Sequence, residues 1–261
     1  MTLPHTAMLR LLSALALLAL AAGPAAAQHD DAPFPEYPHF VPGAAHPPAV
    51  YSLALLDVFE VAPAAVGLPG RLEGFYRVGT DRNRLFLRAE GEGRISEGEG
   101  EAEVQALYSR LVTPYFEAQA GVRLDTEVGE GGLRARPQLA VGLEGLAPYF
   151  FEVEPFVFLS YKGDLSARLE GSYDLLLTQR LVLQPEAEVT LALQEVADWG
   201  VGAGLNAVEA GLRLRYEVKR EVAPYVGVSF LQRFGGAADF ARADGEPTSE
   251  GLFVVGVRLW R

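Results

Sequence analysis

The sequence contains no cysteine, and its only methionines, Met1 and Met8, lie within the first eight residues. Without cysteine no disulfide framework can support the fold, so stability has to come from packing and strand pairing. Lysine is also scarce, because Lys162 and Lys219 are the only two in the chain. The remaining positive charge is arginine, whose planar guanidinium favours fixed, multidentate ion pairs.

Long hydrophobic runs are missing too, and this excludes a helical membrane protein. A membrane-spanning helix needs about 20 mainly apolar residues. The longest apolar run, from Leu11 to Ala22, is shorter than that, follows Arg10 and precedes the small residues of Gly23–Ala27. This arrangement is typical of a secretory signal peptide, so we predict that residues 1–27 are removed on export.

The sequence also has few positive charges and few histidines, and each shortage excludes a class of function. The formal net charge is −12, and an acidic surface repels nucleic acid, so we expect no nucleic-acid partner. No histidine follows His46. A Ser–His hydrolase needs histidine as its base, and we therefore predict that the protein is not an enzyme.

What is present begins with a proline-rich segment and continues as repeated strand patterns. Residues 28–50 contain six prolines without periodicity, which predicts a flexible tail, placed in the periplasm. Residues 51–261 form blocks of alternating polarity separated by turn residues, the signature of outer-membrane strands. The blocks are 51–60, 71–78, 83–92, 101–112, 115–125, 136–146, 149–160, 165–176, 180–194, 206–218, 223–234 and 251–261.

The connectors and the strand faces indicate a closed barrel. Short turns alternate with mostly longer connectors, near 61–70, 93–100, 126–135, 195–205 and 235–250, as in bacterial outer-membrane barrels. In "RLVLQPEAEVTLALQ", from Arg180 to Gln194, every odd position is apolar and most even positions are polar. We predict a closed antiparallel transmembrane β-barrel of 12 strands, with ten as the alternative, in the outer membrane of a Gram-negative cell.

The polar strand faces predict a charged barrel interior. If the charges pair, they fill and stiffen the lumen, and if they do not, an acidic stripe guides cations through it. We expect the filled lumen, because a barrel of this size is partly occupied by its own side chains. The predicted lumenal network consists of Glu152, Glu154, Arg168, Glu170, Asp174, Glu186, Glu188, Glu209, Arg213, Arg215 and Glu217. The run "SEGEGEAE", with Glu97, Glu99, Glu101 and Glu103, predicts a solvated acidic outer loop.

Several stretches resemble the copper resistance protein B (CopB) family. They are "AEVQALYSRLVTPYFEAQAGVRLD", "GLAPYFFEVE", "YDLLLTQRLVLQPEAEV", "EAGLRLRYEVKREVAPYVGV" and "FGGAADFARADGE". The resemblance runs from about Tyr51 to Arg261, with the motifs in the family's order and with similar spacing. It implies an outer-membrane barrel that binds, sequesters or otherwise handles copper ions at the cell envelope. The alternative is a narrow passive pore without a specific copper site.

The chain departs from this family in its copper ligands. Many members carry a methionine- and histidine-rich segment before the barrel, whereas both methionines here lie in the predicted signal peptide. Cu(I) prefers sulfur ligands, so we expect Cu(II), held by imidazole from His29, His39 and His46. Cleavage after Ala26 would leave a free amine at Ala27, and this amine, two backbone amide nitrogens and the His29 imidazole can form the square-planar set that Cu(II) favours. Cleavage after Ala27 would remove this set. The expected partners are outer-membrane lipid, copper ions and periplasmic copper-handling proteins.

Overall fold

The computed structural model describes residues 49–96, 99–129 and 132–261, and these residues form one sheet that closes on itself. The predicted signal peptide and most of the predicted tail, including His29, His39 and His46, lie outside the described residues. Residues 51–261 are almost entirely strand. The strands are β1 Tyr51–Val61, β2 Pro69–Gly79, β3 Asn83–Arg94, β4 Glu99–Thr113, β5 Phe116–Gly129, β6 Gly132–Ala147, β7 Phe151–Ser160, β8 Leu165–Ser172, β9 Leu175–Leu176, β10 Leu181–Ala192, β11 Gly204–Tyr216, β12 Val222–Arg233 and β13 Ser249–Trp260.

The barrel has twelve strand positions, because β8 and β9 are two parts of one strand. Both pair with β10 in a single register, and the break at Tyr173–Asp174 lies opposite Pro185, which has no N–H to donate. All neighbouring strands are antiparallel, and β1 pairs with β13, so the sheet closes and only the two residues of β9 lack a partner on one side. The predicted barrel of 12 strands is confirmed, and the ten-stranded alternative is wrong.

The outer surface of the barrel is apolar over its middle. Val122, Leu139, Val141 and Val228 are all more than half exposed, while the residues between them on each strand point inward. A soluble protein rarely exposes a continuous apolar surface of this extent. The exposed faces therefore contact lipid, as the alternation in the sequence predicts.

The joint between β1 and β13 is the least regular in the barrel. Leu55 pairs with Trp260 and Leu56 with Leu259, but the next pair is Glu60 with Gly256, with a register shift between Leu56 and Glu60. The same extra residue shifts β1 against β2 between Leu56 and Val58. Asp57 lies in this bulge, and its carboxylate accepts from Arg258 of β13 at 2.7 Å.

The two rims of the barrel differ. The short turns, the start of β1 and the end of β13 lie on one rim, which we call the inner rim. In barrels of this type that rim faces the periplasm. The opposite rim is the outer rim. The prediction of a longer connector there, at 126–135, is wrong, because β5 runs to Gly129 and β6 begins at Gly132. Outside the bilayer both faces of a hairpin meet water, so the polarity alternation that reveals a strand is lost there.

Two of the longer outer connectors, β10–β11 and β12–β13, contact each other. Between β12 and β13 lies helix α1, Gly235–Asp244, in the connector predicted at 235–250. A Cβ on Gly202, in the β10–β11 connector, would lie only 2.6 Å from Cα of Gly236. Trp199 of the same connector lies 5.4 Å from the guanidinium of Arg134 on β6. No helix among the described residues has the length and apolar character of a membrane span.

Candidate functional site

The lumen of the barrel is the candidate site, and Arg88 of β3 connects its walls. Its guanidinium donates to Glu144 of β6 and Glu154 of β7, three and four strands away around the barrel. The guanidinium carbon also lies 5.8 Å from the ring centre of Phe86 and 5.7 Å from that of Phe156. Arg88 therefore joins β3 to two strands that are not its neighbours and lies between two aromatic rings.

Arg168 of β8 forms a second connection across the lumen. It contacts Glu103 of β4 at 2.7 Å, Glu90 of β3 at 3.3 Å and Glu188 of β10 at 3.4 Å. Its side chain is 15% exposed, and that of Glu103 10%. One cation that joins three carboxylates from three strands occupies space that an ion would otherwise use.

The wall formed by β10 to β13 and β1 has its own ion pairs. Arg213 donates two hydrogen bonds to Glu60, both of 2.9 Å, and a further contact to Glu186. The Tyr225 hydroxyl also donates to Glu60, at 3.1 Å. Arg213 and Glu60 are 4% and 5% exposed at their side chains, so this bidentate pair is closed off from bulk water.

The predicted lumenal residues divide into three groups in the structure. Most of them form ion pairs: Glu154, Arg168, Asp174, Glu186, Glu188, Glu209, Arg213 and Arg215. Glu152 accepts a hydrogen bond from Ser172 at 3.2 Å. Glu170 has no ion-pair partner among the described residues, and Glu217 follows β11 in the turn at the inner rim.

Other members of the network do not belong to the predicted set. They include Glu60, Arg71, Arg88, Glu90, Glu103, Arg123 and Glu144. The prediction of a solvated acidic loop is wrong for Glu103, which lies inside the barrel and is only 8% exposed as a residue. Glu97 lies outside the described residues. The alternation of "RLFLRAEGE" in β3, with Arg84, Arg88 and Glu90 at even positions, is the signal that could have identified this side of the lumen.

Carboxylates outnumber arginines in the lumen. Glu170 lies close enough to Glu73, Glu90, Glu154 and Glu188 for their charges to interact. Near the outer mouth, Glu101 interacts in the same way with Glu92, Glu127 and Glu246. The ionised fraction of these carboxylates gives the lumen a negative potential, which attracts cations and repels anions.

The described residues contain no group of three or more histidine, cysteine, aspartate or glutamate side chains arranged to hold a metal ion. From residue 49 onward the sequence also has no histidine, cysteine or methionine. These are the side chains that bind copper most strongly. The barrel interior therefore does not fit a resident copper ion.

Comparison with known proteins gives the family. The family model described as "Copper resistance protein B precursor (CopB)" matches residues 50–261. The chain is 45% identical over 183 residues to "Copper resistance protein B" of Escherichia coli, a match that covers 70% of this chain and 60% of that protein. It is 41% identical over 217 residues to "Copper resistance protein B homolog" of Pseudomonas syringae pv. tomato, covering 82% of this chain and 71% of that protein.

Two solved structures illustrate the similarity in shape. The NanC porin is 14% identical, with a TM-score of 0.48, and the match covers 79% of this chain and 98% of that one. The outer membrane phospholipase of Salmonella typhi is 13% identical, with a TM-score of 0.47, covering 81% and 92%. Likenesses at this level assign no ligand and no activity.

Proposed function

The chain belongs to the copper resistance protein B family, and from that premise we propose that it binds and retains copper ions at the outer membrane without conducting ions through its barrel. The proposal that the barrel does not conduct ions rests on the two arginines that cross the lumen. Arg88 joins β3 to β6 and β7, and Arg168 joins β8 to β3, β4 and β10. Ion pairs this enclosed are costly to break, because each separated charge has to be solvated again.

The copper is held by the segment that precedes the barrel. Imidazole is a good ligand for Cu(II), and His29, His39 and His46 are the histidines between the predicted cleavage site and β1. A chain spans at most about 3.5 Å per residue. His46 therefore stays within roughly 18 Å of the start of β1 at the inner rim, beside the mouth of an acidic lumen that repels anions and raises the local concentration of cations.

A copper titration of the refolded mature protein tests the tail site. The variant His29→Gln/His39→Gln/His46→Gln removes the imidazoles, and Phe34→Gln/Tyr37→Gln/Phe40→Gln places three glutamines in the same segment as the matched control. We expect the histidine variant to lose specific Cu(II) binding, with loss of nitrogen hyperfine structure in the electron paramagnetic resonance spectrum, and the control to keep both. Undiminished binding by the histidine variant would overturn the tail site.

A passive pore is the second candidate function, and the acidic lumen is the observation that favours it. Single-channel recordings in planar bilayers distinguish the two. We expect the mature protein to show no open steps, with or without copper. Regular, cation-selective open steps from the unmodified protein would refute the closed lumen and support the pore, whatever the titration shows.

A further inference from the structure

Two ladders near the inner rim each lack two consecutive residue pairs. Between β6 and β7 the missing pairs are Leu143 with Pro155 and Glu144 with Glu154, although the register is the same above and below this gap. Pro155 keeps its pair with Leu169 of β8. Proline has no N–H to donate, so it interrupts the ladder on the side that its nitrogen faces and leaves the other ladder intact.

The ladder of β10 with β8 and β9 has a second gap of the same kind. The missing pairs are Tyr173 with Pro185 and Asp174 with Gln184, again without a change of register. Pro185 keeps its pair with Leu212 of β11. One backbone hydrogen bond crosses this gap, from Tyr173 N to the carbonyl of Pro185, at 3.1 Å.

An arginine inside the barrel spans each gap. Arg88 donates to both carboxylates of the first gap. Arg215 donates to Asp174 at 2.7 Å and to Gln184 at 3.1 Å in the second. In each case one guanidinium bonds both inward-facing side chains of a missing pair, so the arginines take the place of backbone bonds that the prolines remove.

The surroundings of the two arginines differ. Arg88 lies between two aromatic rings, which restrict its movement. Arg215 instead borders a cavity whose other lining residues include Gln184 and Val58 of β1. The side chain of Asp174 is 42% exposed, so water can solvate this carboxylate when it separates from Arg215. The second gap is therefore the one that is able to open.

Strand β9 is the part of the wall that the second gap leaves weakly attached. Its residues, Leu175 and Leu176, pair with β10 and have no partner on the other side among the described strands. Leu176 and Leu177 are also 70% and 54% exposed. Apart from the hairpin turn itself, two ladder pairs and the ion pair of Asp174 with Arg215 hold this segment against the barrel.

We propose that residues 173–177 form a flap that swings away from β10 in the native protein, with the Asp174–Arg215 pair as its clamp. The movement opens the cavity beside Arg215 toward the periplasmic side of the membrane and admits water and small polar solutes to it. Strand β10 stays in place, because it keeps its ladder with β11. The flap requires no copper and opens no passage for ions, since Arg88 and Arg168 still cross the lumen.

Thiol labelling tests whether the cavity opens. The chain has no cysteine, so Val58→Cys places a single thiol in the cavity wall, at a position that is 5% exposed. Asp174→Ala releases the clamp without removing a lining residue, and we expect it to raise the labelling rate by a small methanethiosulfonate reagent about tenfold or more. The matched control is Asp164→Ala, which removes a carboxylate paired with Arg136 at the outer rim and should leave the rate unchanged. An unchanged rate in Asp174→Ala, or an equal rise in Asp164→Ala, would overturn the flap.

A reversible disulfide gives an independent test in which the clamp stays intact. Leu175→Cys/Leu183→Cys places two cysteines at a registered pair of β9 and β10, within the reach of a disulfide. Oxidation should slow exchange of the Leu177 amide hydrogen, which bonds back to the start of β10, by about tenfold or more, and reduction should restore it. Leu214→Cys/Val226→Cys, a registered pair of β11 and β12, is the control and should not affect this amide. Equal exchange in the oxidised and reduced forms of the first variant would show that the flap does not move.

Discussion

Arg88 is enclosed by two carboxylates and two phenyl rings, and its side chain is 13% exposed. Replacing one member of a buried ion pair leaves the other charge unpaired in a poorly solvated place. At this position two carboxylates would lose their partner at once. Arg88 therefore both fills the lumen and joins three strands of the wall.

Arg88→Ala should lower the free energy of unfolding by about 3 kcal/mol, the usual cost of separating a buried pair. Urea titration in vesicles, followed by the loss of β-sheet circular dichroism, measures it. Arg180→Ala is the control, since Arg180 is exposed in the turn before β10, and it should change stability by less than about 1 kcal/mol. Equal effects of the two variants would contradict the enclosed role of Arg88.

Sequence alone identified the lumenal residues of the later strands better than those of the first four. From β7 to β11 the alternation is regular, and Glu154, Arg168 and Arg213 follow from it directly. In β1 the bulge at Asp57 adds one residue, so the inward face changes from odd to even positions and Glu60 points inward. A period of two cannot reveal such a shift, because the bulge is set by pairing with neighbouring strands.

Helix α1 is the element that the sequence did not reveal. It begins with Gly235 and Gly236, which are poor helix formers, and Phe234 makes no side-chain cap hydrogen bond. Its buried residues are alanines, which give a weak amphipathic pattern. The helix contacts β11 and Gly202 of the β10–β11 connector, and these residues precede it by about 20 to 40 positions, beyond the range of a local sequence pattern.

Gly202→Ala should displace α1 from the β10–β11 connector. The added Cβ would meet backbone atoms of Gly236 and Ala237 at 2.5 to 2.6 Å, so the helix has to move. Amide hydrogens of α1 should then exchange at least tenfold faster, which corresponds to a loss of about 1.4 kcal/mol of local stability. Hydrogen exchange read by mass spectrometry would show it.

Gly129→Ala is the control for this experiment, because a Cβ at that position has no neighbour within 4 Å. It should leave exchange in α1 unchanged. If Gly202→Ala also leaves α1 protected, the close contact of Gly202 with Gly236 does not hold the helix in place.

At the scale of the molecule, the described strands close into a barrel among themselves. Every strand from Tyr51 to Trp260 has two partners, except the two-residue segment β9, which pairs with β10 alone. Among the described residues, the ion pairs of the lumen join one strand of the barrel to another. The overall architecture followed from the sequence because an even set of alternating blocks has only one way to satisfy its backbone in lipid. Connector lengths did not follow, since polarity alternation ends where the bilayer ends.

A chain that starts at residue 49 should therefore refold as well as one that starts at Gln28, the predicted start of the mature protein. Heat-modifiable mobility on gels and the urea midpoint in vesicles should agree between the two within error. A truncated chain that stays unfolded would show that residues 28–48 take part in assembly of the barrel.

The irregular joint between β1 and β13 has a consequence for the order of assembly. Each of the other strand pairs joins strands that follow one another in the chain. This joint instead pairs Leu55 in the first strand with Trp260 in the last. Contacts between distant residues carry the largest entropic penalty before they form. We therefore expect this joint to form last as the polypeptide enters the membrane, and, because its register is irregular, to open first under denaturing stress. The ion pair of Asp57 with Arg258 crosses it.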